Sequence, residues 1–360
     1  MDITPYLQLL RDKQGSDLFF TVGSPVKVKI EGTMNSVGKT QLTGEVVRAA
    51  AYGIMNEKQI ASFEETMECD FAIALPDMSA RFRVNVFRQR GEVAMVLRRI
   101  PAEIPTIGEL GLPDILGDLI MHKRGLMLMV GATGSGKSTT LAAMVNERNQ
   151  QMSGHILTIE DPVEFSHPNL KSIVNQREIG VDTLSYRAAL RSSLREAPDV
   201  IFIGEVRDRE TMEAALELCN TGHLAISTLH ANNANQALDR IKNFYPETAH
   251  KQLYMDLSLN LKAVVSQRLL RDANGGRVPA VEVMLLSSYV SELILKGDTH
   301  GLKDAMEQSD IRGMQTFDQS LYNLYKSGRI SLDEALANAD SRNDLALRIR
   351  LSDRGTGAAG

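Results

Sequence analysis

Short apolar runs separated by turn residues dominate the first hundred positions. "DLFFTV", "VKVKIEG" and "FAIAL" have the length and spacing of strands, and "RFRVNVFRQRGEVAMVLRRI", Arg81 to Ile100, alternates apolar and polar positions on both sides of a turn. A helical period appears near "TGEVVRAAAYGIM". This predicts a small α+β domain over residues 1–100. Prolines and glycines crowd "RIPAEIPTIGELGLPD", which predicts an interdomain linker over 101–113. From 114 the pattern becomes strand, turn, helix, with "GLMLMV", "HILTIE", "DVIFIGE" and "HLAISTLH" as apolar runs ending in polar residues. Such alternation predicts an α/β core over 114–280, built on a mainly parallel sheet covered on both faces. Residues 281–350 read as a helical subdomain and 351–360, "LSDRGTGAAG", as a disordered tail.

Composition narrows this reading. At 360 residues and 43% hydrophobic, the chain exceeds ordinary single-domain size, so two domains are expected. A formal charge of −5 argues against coating nucleic acid or an anionic membrane. Two cysteines, Cys69 and Cys219, make no disulfide framework, and no basic region precedes an apolar core at the start, so a reducing cytoplasm is expected. No apolar run approaches the roughly 20 residues of a membrane span, so no direct insertion is expected and any membrane role would come through partners.

The chemistry begins at "GATGSGKST", Gly131, Ala132, Thr133, Gly134, Ser135, Gly136, Lys137, Ser138 and Thr139, after one predicted strand and opening a helix. Glycines at this spacing let backbone N–H groups close around phosphate. Lys137 would reach the β and γ phosphates of ATP, and the Ser138 hydroxyl would ligate Mg²⁺. "HILTIEDPVEF" puts Glu160, Asp161 and Glu164 at a strand end broken by Pro162, where one carboxylate can orient a water; a solvated acidic turn is the plain alternative. "APDVIFIGEVRD" has the form of a Walker B strand with Glu205 as the acid that holds Mg²⁺, whereas Asp199 falls at the wrong end. His223 and His230 stand at the two ends of another strand, either to report the γ-phosphate or to hydrogen-bond within the core. Cys219 and His223 lack further ligands for zinc.

The arginine-rich stretch reads as a hairpin with "RQRG" as a four-residue loop, pairing Arg83 with Val96 and Arg81 with Arg98. Arg81, Arg83 and Arg98 then share one face, opposite Phe82, Val84, Val86, Val93, Met95 and Leu97. Like charges facing each other require an anion. ATP on the second domain, carboxylates of the same domain, or nucleic acid could supply it.

Taken with "SDLFF", "RFRVNVFRQRG", "LREAPDVIFIGEVRD", "TGHLAISTLH" and "GMQTFD", these boxes resemble the secretion and type IV pilus ATPases, within them the PilT and PilU retraction group, from the start to about residue 345. The resemblance implies a hexameric ring of subunits, each with a PAS-like N-terminal domain and a RecA-like P-loop ATPase domain. It implies Glu164 as catalytic carboxylate, Glu205 associated with Mg²⁺, His223 and His230 as a histidine pair, and Arg83 and Arg98 as groups reaching the γ-phosphate. The ring would act on the inner-membrane pilus platform protein, at the cytoplasmic base of the machine, to power twitching motility. Two departures, Phe19 after "SDL" and "YVSELILKGD" at 289–298 without arginines, lean toward the PilU-like branch, which works beside a paralogous retraction ATPase. An ATP-binding accessory subunit with little hydrolysis of its own is the alternative, and a DNA-translocating motor a third, opposed by the acidic charge.

Overall fold

The computed structural model describes residues 1–30, 32–77, 79–101 and 103–356. The chain divides into two units. Met1–Glu103 forms the first, together with the short segment Val163–Ser166, and the chain from Ile104 otherwise forms the second.

The first unit is a six-stranded antiparallel sheet. Its strands are β1 (Asp17–Phe20), β2 (Val26–Ile30), β3 (Thr33–Val37), β4 (Glu68–Ala74), β5 (Arg81–Gln89) and β6 (Glu92–Ile100), in the order β3-β2-β1-β6-β5-β4. Helices Thr4–Asp12, Gly44–Tyr52 and Glu57–Thr66 supply Leu7, Leu10, Val47 and Phe63 to the same core as Phe20, Phe82, Val84, Val86, Met95 and Leu97. Asn56 and Gln59 cap the third helix reciprocally, which fixes its start.

The β5–β6 hairpin corrects the expected pairing. Its loop is two residues, Arg90 and Gly91, both at positive φ (51° and 81°), as a right-twisted hairpin of this length requires. The register therefore slips by two: Arg83 faces Arg98, and Arg81 faces Ile100. Because the slip is even, the predicted faces survive. Arg88 lies on strand β5 rather than in the turn, 2.6 Å from Glu64 and over the Phe63 ring. The Arg83–Arg98 pair also has carboxylates within its own unit. Arg98 Nε donates to Asp17 Oδ1 at 2.8 Å, directly across β1–β6, and Arg83 Nε is 3.9 Å from Asp70. Asp17 is buried, with Ser16 Oγ donating to its other oxygen.

The second unit carries β7 (Gly125–Val130), β8 (Gly154–Glu160), β9 (Ser172–Glu178), β10 (Val200–Ile203), β11 (Leu224–Leu229), β12 (Leu261–Arg271) and β13 (Arg277–Leu285). Their order is β13-β12-β7-β11-β10-β8-β9, parallel throughout except for β13, which pairs antiparallel with β12. Alternation along β7 feeds two cores at once. Leu126, Leu128 and Val130 join helices Arg209–Asn220 and Ala234–Lys242, while Met127 and Met129 join helix Lys137–Gln151. A strand buried on both faces reads as an unbroken apolar run, as this one does.

Three expected boundaries move. Of the stretch assigned to the linker, residues 104–113 belong to the second unit, where Ile107 and Leu112 are buried against Leu116 and Ile120. Residues 281–285 are still β13, and the helices begin at Ser288–Lys296. The expected tail starts inside helix Arg342–Thr356, and 357–360 lie outside the described residues.

Replacing Asp17 with alanine should lower stability by about 1–2 kcal/mol, read from the urea midpoint, because the Arg83–Arg98 pair keeps only the longer contact to Asp70. In an Arg98→Ala background the same substitution should cost measurably less.

Candidate functional site

Parallel pairing of β7, β8, β10 and β11 puts their carboxyl ends on one edge, the place where such sheets bind ligands. The loop 131–136 leaves β7 there and opens helix Lys137–Gln151. Gly131, Gly134 and Gly136 all have positive φ. At Gly131 a Cβ would fall 2.5 Å from Ser135 Oγ and 2.6 Å from the Gln267 carbonyl oxygen; at Gly136 it would fall 2.8 Å from Gln267 Nε2. The loop is thus held against β12 at both ends by contacts only glycine permits. Gln267 is itself buried, its Oε1 accepting from Thr140 Oγ1 at 2.7 Å.

Ala132, Thr133 and Gly134 at the loop tip are exposed, whereas Ser135 and Lys137 are buried. Lys137 Nζ donates to the carbonyls of Gly131 (2.8 Å) and Ala132 (2.9 Å), so the ammonium is folded onto its own loop. Ser135 Oγ is buried and has no hydrogen-bond partner among the described residues. A buried orphan hydroxyl beside an open glycine-lined loop fits an anionic ligand whose oxygens complete it.

Glu205 follows β10 at the same edge. Thr228 Oγ1 donates to the Gly204 carbonyl and Val206 N donates to the Thr228 carbonyl, which fixes the residue between them. Its carboxylate receives Arg207 Nε at 2.6 Å and lies 3.3 Å from His230 Nε2. Arg207 also reaches to 3.9 Å from Asp161, and Glu160 is buried at the end of β8, accepting from Thr158 Oγ1 at 2.6 Å. Tyr186 packs among Glu160, Asp161, Glu205 and Arg207; burial pushes its phenol up, so it stays neutral.

The structure therefore gathers the loop, Glu205 and His230 on one edge. His223 is separated from them: it sits at the opposite end of β11, its Nδ1 within 3.0 Å of Thr221 Oγ1 and 3.1 Å of the Leu218 carbonyl. Asp199 is also at that far end, its carboxylate accepting from His155 N. Burial pushes the Cys219 thiol up to about 12, leaving it an inert packing group. Glu164, exposed beside buried Val163, is grouped with the first unit, as are Arg83 and Arg98. Sequence reading missed Gln267 and Glu282. Polar residues inside "LKAVVSQRLL" and "VPAVEVML" were the available signal. Glu282 is buried on β13, accepting from Ser266 Oγ and from the Ala234 amide that follows the His230 loop.

A phosphate-cradling loop and an acid–histidine–arginine cluster on one edge of a parallel sheet define a P-loop ATPase core. A family model described as Type II/IV secretion system protein matches residues 3–289. This chain belongs to that family, in its PilT and PilU group. The type IV pilus ATPase PilU of Pseudomonas aeruginosa is 53% identical over 352 residues, 98% of this chain and 92% of that protein. The type IV pilus retraction ATPase PilT of the same organism is 41% identical, spanning 94% of this chain and 98% of its own length. A crystal structure of the pilus retraction motor PilT with bound ADP superposes with a TM-score of 0.88 at 41% identity, covering 96% of this chain and 98% of that one.

Gly131→Ala should weaken nucleotide binding more than tenfold in a fluorescent-nucleotide titration, because loop or β12 must move to admit the methyl group. Burial pushes Glu282 up to about 7 from an ordinary carboxyl value of 4.5, so folding favours its protonated form. Its contribution is complete below the unfolded value and is lost as pH rises through about 7, with a slope of at most about 1.4 kcal/mol per pH unit. Glu282→Gln, which mimics the protonated acid, should flatten the urea midpoint between about pH 5 and pH 8.

Proposed function

We propose that this chain is the PilU-like partner in a type IV pilus retraction motor, a cytoplasmic Mg²⁺-dependent ATPase working beside a paralogous retraction ATPase. The observation that carries this is the edge shared by the glycine loop, Glu205 and His230, in a chain 53% identical to a PilU and 41% identical to a PilT. In this reading the subunits form a hexameric ring that acts through the inner-membrane platform protein. Nucleic acid has no part in it.

The loop amides and Ser135 Oγ receive the phosphates, and Lys137 exchanges the Gly131 and Ala132 carbonyls for the β and γ oxygens. Ser138 and Glu205 are oxygen donors of the kind Mg²⁺ prefers, so they would hold the ion. Held there, the ion would supply positive charge against that developing on the phosphates. His230, beside the same carboxylate, registers the terminal phosphate and hands its presence to Glu205. Glu164 orients the attacking water, and Arg83 and Arg98 turn from Asp70 and Asp17 to stabilise the transferring phosphoryl group.

In purified protein, Lys137→Ala and Glu205→Ala should each reduce ATP turnover at least about a hundredfold, and Glu164→Gln should do the same while retaining nucleotide binding. Wild-type turnover no higher than that of Lys137→Ala would remove hydrolysis from the role. If Glu164→Gln also supported normal twitching and retraction force in cells, the chain would act as an ATP-binding accessory subunit instead.

A further inference from the structure

Beyond the loop, β12 and β13 continue as a hairpin whose last ladder pair is Arg271 facing Arg277. Side chains alternate along a strand, so Gln267, Leu269 and Arg271 share one face of β12. The first two of these meet the phosphate loop: a Cβ at Gly136 would lie 2.8 Å from Gln267 Nε2 and 3.5 Å from Leu269 Cδ1. The next residue on that face is Arg271, with Arg277 directly across from it. A cavity of about 450 Å³ is lined both by these two arginines and by loop residues Gly131 to Ser135.

Two guanidiniums directly opposed in a ladder repel each other unless an anion lies between them. The first unit solves this for Arg83 and Arg98 with Asp70 and Asp17. Here no such solution is present among the described residues. Neighbouring arginines are neutralised, Arg268 by Asp340 at 2.7 Å and Arg329 by Asp272 at 2.8 Å. Asp272, next to Arg271 in the chain, also accepts from the Asn274 amide. Glu334 lines the cavity too, but its Oε1 accepts from the Arg271 amide at 3.1 Å and from Asn338. Arg271 and Arg277 are both exposed, and neither side chain makes an ion pair within 4.0 Å among the described residues.

We propose that Arg271 and Arg277 form a second arm of the nucleotide site, binding the polyphosphate of a nucleoside triphosphate seated on this chain's own loop. The inference rests on the ATPase reading and adds binding residues to it. The like-charge pair closes the antiparallel β12–β13 ladder, and the ligand's phosphates supply the missing counter-charge. Guanidinium suits this task because its fixed fork matches phosphate oxygens.

The test uses the full chain, with wild type, Lys137→Ala and the double variant Arg271→Gln/Arg277→Gln compared by ATP titration, thermal unfolding and particle mass. Without nucleotide, the double variant should melt at or above the wild-type temperature, since a repulsive pair has been removed. Its Kd for ATP should rise at least about tenfold, the loss expected for one charge-assisted hydrogen bond, and the ATP-induced rise in Tm should shrink accordingly. Inorganic tripolyphosphate should compete with ATP on the wild type and far less well on the double variant. Unchanged ATP affinity in the double variant, with Lys137→Ala still defective, would overturn the arm and leave the ATPase reading standing. Absence of ATP binding by the wild type would overturn both. If the double variant kept its affinity and lost only self-association, the missing anion would be a carboxylate of a second copy, and the proposal would fail.

Discussion

The close seating of the 131–136 loop against β12 is the constraint on which the rest of the second unit depends. Parallel pairing of β12 with β7 runs from Leu126 to Val130, and the contact continues past the end of β7 through Gln267. Two backbone positions, Gly131 and Gly136, have no room for a side-chain carbon there. This closeness lets one buried amide, Gln267, brace both the loop and Thr140 in the first turn of the following helix. Where a loop presents mainly backbone amides to a ligand, its accuracy must come largely from the scaffold beneath.

Charge is managed differently on the two sheets. In the first unit the arginine ladder is balanced locally, by an aspartate directly across the next strand pair and another on β4. At the edge of the second unit, Glu205 is bracketed by Arg207 and His230, with Tyr186 and buried Glu160 nearby. A carboxylate so bracketed has a fixed direction before any ligand arrives. Placing it just beyond a short strand whose residues Val200, Ile201 and Ile203 are fully buried leaves little freedom for it to wander.

What was legible in the sequence follows from how local each signal is. The phosphate loop and the apolar runs of β7, β8, β10 and β11 carry their own instructions, and the doubly covered parallel sheet follows from them. The faces of the arginine hairpin were legible because side-chain parity is set by alternation alone. Its register was not, since it hangs on Arg90 adopting a positive φ, which nothing in "RQRG" announces beyond the glycine. β3, "TMNSV", is exposed at nearly every position and is a strand only because β2 offers it a ladder. The separation of His223 from His230 was implicit in their spacing, one at each end of a six-residue strand. A resemblance that names them as a pair hides the roughly 20 Å such a strand spans.

Buried Glu282 and half-buried Arg268 act on residues far from them in the chain. Each meets the chain just after β11: Glu282 accepts from the Ala234 amide, and Arg268 extends toward the Asn232 carbonyl while bonding Asn338 and Asp340. Arg268 also stacks on the Phe317 ring, with its guanidinium carbon 3.9 Å from the ring centre. The segment carrying His230 is therefore bounded by Glu282 of β13 and by Arg268 of β12, which Phe317, Asn338 and Asp340 anchor in turn. Glu282 accepts two hydrogen bonds on one oxygen in a site buried enough to favour its neutral form, and such a group costs stability when ionised. Its value lies in geometry: a buried acceptor that fixes the start of helix Ala234–Lys242 fixes the four residues between that helix and β11, and His230 is the first of them.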